Sequence, residues 1–192
     1  MGRIVISTNA SLDGVVQDPD GGEGFKLGGW FPRFGGDDLE VWSQVMTEQA
    51  RDADALLLGR RSDEWFAARW PSRTGEWADR LNSMPKFVVS STLDRARWGD
   101  ATVLSGDVVA EVAKLKQAFG GEILVFGSCQ LARTLIEYDL VDEVRLVVFP
   151  VVLGAGERLF GETSDPKPFR VSNARTLGDN LVAINYELVR DA

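Results

Sequence analysis

The sequence predicts an α/β protein with a mixed, mostly parallel sheet and an antiparallel C-terminal hairpin at the sheet edge. Short apolar runs recur without polar alternation, which is typical of strands buried on both faces of a parallel sheet. Segments with apolar residues at three- and four-residue steps lie between these runs and indicate helices. Near the C-terminus the apolar residues mostly alternate with polar ones, as in a strand covered on one face.

Each predicted element rests on one of these patterns. Five apolar runs are the candidate strands of the parallel body, over residues 4–6, 55–58, 87–89, 123–126 and 144–149. Three helices are predicted, over residues 37–50, 108–119 and 131–136. Two further strands, over residues 169–176 and 181–189, are joined by a short turn and predict the hairpin. Alternation of strand and helix indicates a wound sheet.

Length and composition restrict the class of protein. The chain has 192 residues and no repeat or linker, so we expect one domain over residues 1–192. A formal charge of −8 argues against a nucleic-acid binder with a broad basic face. No stretch approaches the roughly 18 apolar residues of a membrane span. One unpaired cysteine and no export signal predict a cytoplasmic protein.

Two residue types restrict the chemistry. The chain has no histidine, which excludes a Ser-His-Asp triad, a Cys-His pair and a His-ligated metal. The single cysteine, Cys129, excludes a disulfide within the chain and a CxxC site. We therefore expect no metal site, and any chemistry must use carboxylates, hydroxyls, amines, backbone donors or a cofactor.

Four predicted strands end in small or polar residues, within residues 7–16, 59–62, 90–92 and 127–131. Ligands of open α/β sheets bind beyond these carboxyl ends, where glycine admits close approach and helix N-termini attract phosphate. Each segment alone also has a structural explanation: exposed arginines at a helix start, a serine-rich turn or cap, or a tight glycine turn. Neither GxGxxG nor GxxxxGK[ST] is present, which excludes those two phosphate loops.

In their order along the chain, the segments resemble the dihydrofolate reductase fold. They are more similar still to the reductase domain of riboflavin biosynthesis and its stand-alone relatives. The resemblance covers nearly the whole chain and rests on SLDG, LLGR, KFVVSSTL, VFGS and LVDEVRL, the last followed by PVVLGAG. It implies a three-layer dihydrofolate reductase-like α/β fold.

The resemblance also implies that NADPH binds in an extended pose across the strand ends. The residues implied are Gly59, Arg60, Arg61 and Ser62 at the pyrophosphate and 2′-phosphate, Ser90 and Ser91 at the adenosine ribose phosphate, Gly127, Ser128, Cys129, Gln130 and Leu131 on the opposite side of the pyrophosphate, and Asn9, Val15 and Val16 at the nicotinamide. Arginine suits a 2′-phosphate because its guanidinium binds phosphate in a bidentate manner.

Two features depart from the families that the chain resembles. Dihydrofolate reductases carry a Gly-Gly pair with a cis peptide where this chain has Gly127-Ser128. The deaminase half of the riboflavin enzyme needs a zinc-binding set of His and Cys, and this chain lacks it. Deamination is therefore excluded.

Two carboxylates are the candidate catalytic residues, and both are also candidates for substrate binding. Dihydrofolate reductases use one carboxylate early in the first long helix, and the matching position here is Asp38. A carboxylate at that position is also a common helix cap. Asp13, next to Gly14, is either a turn residue or a contact with the substrate ribose, as in the riboflavin branch.

Five of the six tryptophans fall between Trp30 and Trp77. They form either core packing or an aromatic wall around a planar substrate, with Trp30 and Trp42 as the substrate-binding candidates. Residues 21–36, rich in glycine, look like a mobile flap over the site. Arg158 is either an anion-binding residue or the charged end of a turn.

Together these expectations describe an NADPH-dependent reductase that transfers a hydride to a C=N or C=O carbon of a small, heteroaromatic substrate such as a pterin or pyrimidine. The alternative is an inactive NADP(H)-binding protein that works as a dimeric sensor. The resemblance further implies a homodimer, and residues 147–149 with 151–152 are an apolar candidate for its contact. Nucleic acid and membrane are not expected partners.

Overall fold

The computed structural model describes residues 1–190. Its eight strands are β1 (Arg3–Ser11), β2 (Ala53–Gly59), β3 (Lys86–Val89), β4 (Thr102–Leu104), β5 (Glu122–Phe126), β6 (Glu143–Phe149), β7 (Phe169–Leu177) and β8 (Leu181–Leu188). The helices are α1 (Trp30–Gly35), α2 (Leu39–Asp52), α3 (Arg60–Ala67), α4 (Glu76–Ser83), α5 (Val108–Ala118) and α6 (Cys129–Glu137), with a 3-10 turn at Gly36–Asp38.

All eight strands belong to one mixed sheet, in the order β4-β3-β2-β5-β1-β6-β8-β7. The first six strands in this order, β4, β3, β2, β5, β1 and β6, pair in parallel. Strand β8 pairs antiparallel with both β6 and β7. This arrangement confirms the predicted α/β class, with a parallel body and an antiparallel C-terminal hairpin at the edge. The short β4 and the short helices α1 and α4 were not predicted, because their patterns are too brief or too polar. The start of α3 was expected as one of two explanations for residues 59–62.

Helices cover both faces of the sheet, which explains the uninterrupted apolar runs. In β1, Ile4 and Ile6 belong to the core shared with α5 and α6, and Val5 belongs to the core shared with α2 and α4. All three side chains are fully buried. Burial stabilises each of them by about 1.5–3 kcal/mol relative to exposure, so no position of the run tolerates a polar residue.

The topology brings two helix starts together. Strands β2 and β5 are neighbours in the sheet, and a helix begins just after the C-terminal end of each strand. Helix α3 begins directly after Gly59, and α6 begins after Gly127 and Ser128. The N-termini of α3 and α6 therefore lie side by side, beyond the ends of the two strands.

The segment that was expected to be a mobile flap is anchored to the body. The buried Asp18 carboxylate accepts the backbone N–H groups of Glu23 and Phe25, each at 3.0 Å. Trp30 Nε1 donates to the carbonyl oxygen of Gln17 at 2.9 Å. Residues 18–30 thus form a loop closed on itself by a buried carboxylate and an indole.

Within residues 1–190, no helix is both long enough and apolar enough to cross a bilayer. The same residues contain no group of three or more His, Cys, Asp or Glu side chains placed to hold a metal ion.

Candidate functional site

A cavity of about 560 Å³ opens at the carboxyl ends of the parallel strands. Residues at or just beyond the ends of β1, β2, β3 and β5 line it, among them Asn9, Gly59, Val89 and Phe126. This is the position at which open α/β sheets bind ligands. Its remaining walls come from the starts of α3 and α6, from α2, and from the loop that follows β1.

The starts of α3 and α6 are joined by a pair of serines. The backbone N–H and the hydroxyl of Ser128 both donate to Ser62 Oγ, at 2.9 and 2.8 Å. The backbone N–H of Gly59 donates to Ser128 Oγ at 2.9 Å. Neither helix has a side chain capping its first N–H groups. Two helix starts with unbonded donors thus face one cavity, an arrangement that attracts anions.

The turn before α6 has an unusual backbone. Gly127 and Ser128 both adopt positive φ, at 59° and 56°. The left-handed region costs an L-residue such as Ser128 about 1–2 kcal/mol, and the hydrogen bonds to Ser62 and Gly59 hold it there. A Cβ added at Gly127 would lie 3.2 Å from Ser62 Oγ, so the glycine also admits the serine pair. The Gly127–Ser128 peptide is trans, unlike the cis peptide of the Gly-Gly pair.

Two arginines stand at the start of α3. Arg60 and Arg61 both line the cavity and are exposed, and within residues 1–190 neither takes part in an ion pair. Four carboxylates also line the cavity: Asp18, Asp20, Glu23 and Glu157. Desolvation, together with the charges of Asp18 and Asp20, raises the pKa of Glu23. The two arginines are therefore the lining groups able to neutralise an anionic ligand.

A continuous aromatic wall, which we call the aromatic chamber, forms another part of the same cavity. Its members line the cavity and are Trp42, Trp65, Phe66, Trp70 and Trp77. Consecutive ring centroids lie 5.4 Å apart for Trp42–Trp77, 4.7 Å for Trp77–Trp70, 5.7 Å for Trp70–Phe66 and 5.0 Å for Phe66–Trp65. Such a wall suits a flat ring system.

The chamber meets the strand ends at Asn9. Trp42 Nε1 donates to Asn9 Oδ1 at 2.8 Å, which fixes both side chains at the end of β1. Val16, expected beside Asn9, also lines the cavity. Its neighbour Val15 is fully buried and forms an isolated bridge with Arg158 instead.

The structure brings most of the predicted cofactor residues together. Those that line the cavity are Asn9, Val16, Gly59, Arg60, Arg61, Ser62, Gly127, Ser128, Cys129, Gln130 and Leu131. Ser90 and Ser91 lie outside the lining. Ser90 Oγ accepts the backbone N–H groups of Thr92 and Leu93, both at 3.2 Å, which is the turn-capping role of a serine after a strand.

Asp38 does not line the cavity, and the structure places it on the C-terminal hairpin. Its buried carboxylate accepts the backbone N–H groups of Asp179 and Asn180, at 3.1 and 2.8 Å, and a side-chain N–H of Asn180. The hydrogen bond from the Asp179 backbone, followed by that from Asn180, lowers the pKa of Asp38. A proton donor needs a raised pKa, so this geometry favours a structural role.

Asp13 and Arg158 also lie outside the cavity lining and hold a loop together. Asp13 accepts the Ser11 hydroxyl at 2.7 Å and the backbone N–H groups of Leu153 and Gly154, at 3.0 and 2.9 Å. These bonds, the Ser11 hydroxyl first, lower the pKa of Asp13 to about 2. Arg158 donates to the Asp13 carbonyl at 3.0 Å and pairs with its carboxylate at 3.5 Å. Asp13 is thus an ionised turn residue.

Of the substrate-binding candidates, Trp42 alone lines the cavity. Trp30 is 1% exposed and packs edge-on against Phe149 at 5.3 Å between centroids, so it is a core residue. Sequence reasoning missed Met46 and Phe66 in the lining. A signal for Met46 was present in its four-residue spacing from Trp42 on one face of α2.

The chain is similar to known proteins over nearly its whole length. The chain is 28% identical to YyaP of Bacillus subtilis (strain 168) over 189 residues, which are 96% of this chain and 94% of YyaP. A crystal structure named as a riboflavin biosynthesis protein, from Shewanella sp. PV-4, superposes with a TM-score of 0.75 at 23% identity and covers 98% of this chain and 99% of that one.

The fold is also that of dihydrofolate reductase. The enzyme of Enterococcus faecalis, in complex with NADP(H), superposes with a TM-score of 0.58 at 13% identity, covering 97% of this chain and 96% of that one. The family model described as the RibD C-terminal domain matches residues 3–183. The protein therefore belongs to the RibD C-terminal domain family and has its reductase-like fold.

Proposed function

We propose that the protein is an NADPH-dependent reductase that transfers a hydride to a C=N or C=O carbon of a small, flat heteroaromatic substrate. One observation carries the proposal. The N-termini of α3 and α6 are linked by the Ser62–Ser128 hydrogen bond, and they share one cavity with two arginines that form no ion pair and with the aromatic chamber. An anion-binding end and an aromatic end within one cavity match a dinucleotide and a ring substrate side by side.

The residues present fit a dinucleotide phosphate. The uncapped N–H groups of Arg61 and Ser62 in α3, and of Gln130 and Leu131 in α6, are donors at helix starts. The glycines at positions 59 and 127 keep side chains out of the space between the two helices. A pyrophosphate there would meet two dipoles of favourable sign.

Selectivity for the 2′-phosphate is assigned to Arg60 and Arg61. Both guanidinium groups are exposed in the first turn of α3 and carry no ion pair with residues 1–190. A phosphate monoester adds about −1.5 to −2 charges at neutral pH. The other charged side chains of the lining are carboxylates, so both arginines are needed to balance the charge of the 2′-phosphate.

The chain's own residues orient the reactants. When bound, the nicotinamide supplies the hydride. Asn9 is held by Trp42 at the end of β1, and Val16 lies beside the same end of the cavity. Neither Asp13 nor Asp38 reaches the lining, so we infer that the proton comes from water at the cavity mouth rather than from either carboxylate.

The first experiment is a titration of the protein with NADPH and with NADH. Four tryptophans line the cavity, so their fluorescence should be quenched by energy transfer to the reduced nicotinamide of a bound cofactor. We expect tight binding of NADPH and weak binding of NADH. If neither binds, the reductase proposal fails and only the fold remains.

The alternative, a sensor that binds NADP(H) without catalysis, is favoured by the positions of Asp13 and Asp38, because neither candidate proton donor lines the cavity. Steady oxidation of NADPH with any pterin, pyrimidine or carbonyl compound would eliminate this alternative. Tight NADPH binding without turnover across such a screen would support it instead.

We also propose a homodimer, with a contact surface that overlaps only in part with the one expected. Val147 and Phe149 are buried within the protomer and are unavailable. Val152 and Val171 are 67% and 57% exposed, the latter on the edge strand β7. Sedimentation equilibrium at several concentrations tests the dimer, and Val171→Asp should weaken it if β7 forms the contact.

A further inference from the structure

Two polar side-chain atoms of β1 have no hydrogen-bond partner in the protein. Ser7 and Asn9 both line the cavity, and within residues 1–190 neither Ser7 Oγ nor Asn9 Nδ2 forms a hydrogen bond. The fully enclosed polar atoms that lack a partner belong to other residues, so both of these atoms keep accessible surface. Ser7 is nevertheless only 2% exposed. Buried polar groups are normally bonded, so the free pair points to a ligand in the cavity.

The side-chain amide of Asn9 has a fixed orientation. An indole nitrogen is a donor only, so the 2.8 Å contact with Trp42 Nε1 assigns Asn9 Oδ1 as the acceptor. The two N–H groups of Nδ2 lie on the other branch of the planar amide, away from the indole. The side chain of Asn9 therefore offers donors, and no further group, to a ligand.

Ser7 and Asn9 lie on the same face of β1. Successive side chains of a strand point to opposite faces, and Val5 packs in the core shared with α2 and α4. Ser7 and Asn9 share the face of Val5, as the bond from Trp42 on α2 shows for Asn9. Two residues along a strand span about 7 Å, so the two polar atoms can meet different acceptors of one ligand.

The charges of the lining separate these donors from the proposed phosphate site. Arg60 and Arg61 stand at the start of α3, where the cofactor phosphates are proposed to bind. The proposed reaction also places negative charge on the substrate, at the heteroatom of the reduced bond. The lining carboxylates would repel that charge, whereas a neutral, oriented amide donor stabilises it.

From these observations we infer that Ser7 and Asn9 bind the substrate, and that Asn9 Nδ2 donates a hydrogen bond to the oxygen or nitrogen of the bond that is reduced. Hydride addition to a carbonyl carbon forms a C–H bond, moves the π electron pair onto the oxygen and oxidises NADPH to NADP⁺. The Asn9 N–H stabilises the resulting alkoxide until water supplies the proton. The inference rests on the proposed function, because hydride transfer is part of it.

Melting temperatures test whether the Ser7 hydroxyl serves the ligand or the fold. Ser7 and Ser11 are both 2% exposed on the same face of β1, but Ser11 Oγ donates to Asp13 at 2.7 Å and accepts the Val15 N–H at 2.9 Å. Ser7→Ala should leave the melting temperature unchanged or raise it, because no bond within the protein is lost. Ser11→Ala should lower it. Equal losses for the two variants would overturn the inference for Ser7.

Reduction of isatin by NADPH at pH 8 tests Asn9. Isatin is an uncharged, flat ring system whose C3 ketone accepts a hydride beside a lactam oxygen. Asn9→Asp keeps an acceptor for Trp42 but replaces the amide donor by an anion, so kcat should fall at least about a hundredfold. The Kd for NADPH should change less than about twofold. Gln44→Glu, the same change of amide to carboxylate at an exposed position of α2, is the control and should leave kcat unchanged.

Ser7→Ala should give a different kinetic signature. Its hydroxyl binds the ring without meeting the developing charge, so KM for isatin should rise about tenfold while kcat stays nearly constant. If Asn9→Asp weakens NADPH binding, Asn9→Ala replaces it, since it removes the donor without adding charge, and kcat should fall at least about tenfold.

The outcomes separate this inference from the proposed function. Wild-type kcat in the Asn9 variant would overturn the inference alone, and so would a wild-type protein that binds NADPH but does not reduce isatin. Failure of the wild-type protein to bind NADPH would overturn the proposed function.

Discussion

The hydroxyl of Ser62 accepts two hydrogen bonds from Ser128, one from its backbone N–H at 2.9 Å and one from its hydroxyl at 2.8 Å. The residues are 66 positions apart, and each lies at the start of a different helix. This contact sets the distance between two helix N-termini at the candidate phosphate site. It also holds Ser128 in its left-handed conformation.

Ser62→Ala should therefore damage both stability and cofactor binding. The backbone N–H of Ser128 loses its acceptor, whereas its hydroxyl keeps the Phe126 carbonyl at 3.2 Å. The loss costs about 1–3 kcal/mol and lowers the melting temperature by about 2–12 °C. NADPH affinity should fall as the helix starts separate. Ser72→Ala is the matched control, because its hydroxyl is exposed and makes one long contact of 3.4 Å. An unchanged melting temperature for Ser62→Ala would contradict the role of the pair.

Arg60→Ala should discriminate between the two nicotinamide cofactors. A charge-assisted hydrogen bond contributes about 1.5–3 kcal/mol, so the Kd for NADPH should rise about ten- to a hundredfold while the Kd for NADH stays nearly constant. Arg170→Ala, at a 73% exposed side chain on β7, is the control for lost surface charge. Equal losses for both cofactors would rule out the 2′-phosphate assignment.

Asp38→Asn separates a structural role from a catalytic one. The hairpin N–H groups hold the pKa of Asp38 below 3.8, so its contribution to stability is present above that pH and is lost as pH falls through the folded value. The variant should melt earlier at pH 7, and the difference should vanish at low pH. We expect kcat to be retained. A large fall in kcat with an unchanged melting temperature would restore Asp38 as the proton donor.

The Asp13 carboxyl should titrate near pH 2 in the folded protein, against 3.8 when unfolded. Its folded pKa is depressed, so its stabilising effect is complete above 3.8 and disappears as the pH falls through about 2. Carboxyl-carbon NMR measures the titration directly, and the amide shifts of Leu153 and Gly154 should follow it. Titration near 4 would show that Asp13 does not anchor the loop.

Cys129 should react slowly despite its place in the cavity lining. Burial raises the pKa of its thiol from 9.0 to about 11, and the nearby charge of Glu157 adds to the shift. Because the thiolate is the nucleophile, alkylation by iodoacetamide at pH 8 should be about a hundredfold slower than for an unperturbed thiol. Bound NADPH should slow it further if α6 covers the pyrophosphate. Rapid labelling would show that the thiol is not buried.

Local patterns were enough to predict the sheet and several of the strand-end residues that line the cavity. Glycines and hydroxyls at strand ends mark places where backbone meets ligand, and the apolar runs place those ends at one edge of the sheet. Gly59, Ser62 and Ser128 could be predicted for this reason. Their mutual hydrogen bonds could not, because the two helices lie far apart in sequence.

The positions of the substrate-binding candidates were harder to predict, because tertiary contacts decide which of these residues reach the cavity. Asp38 sits where a family carboxylate is expected, yet its partners are Asp179 and Asn180 on the hairpin. Trp30 and Trp42 were both substrate-binding candidates, but one is enclosed by the core and the other reaches the cavity. Neither outcome follows from spacing or propensity, because burial depends on which segment packs on top.

The central position of β1 has a consequence for how the protein is made. It lies between β5 and β6, pairing Arg3 with Glu122 and Ser11 with Phe149. During synthesis at about 5–20 residues per second, β1 leaves the ribosome on the order of ten seconds before the strands with which it pairs. An extended apolar segment stays unpaired for that time and is open to association with other chains. Yield in the cell should therefore depend on chaperones that shield nascent chains.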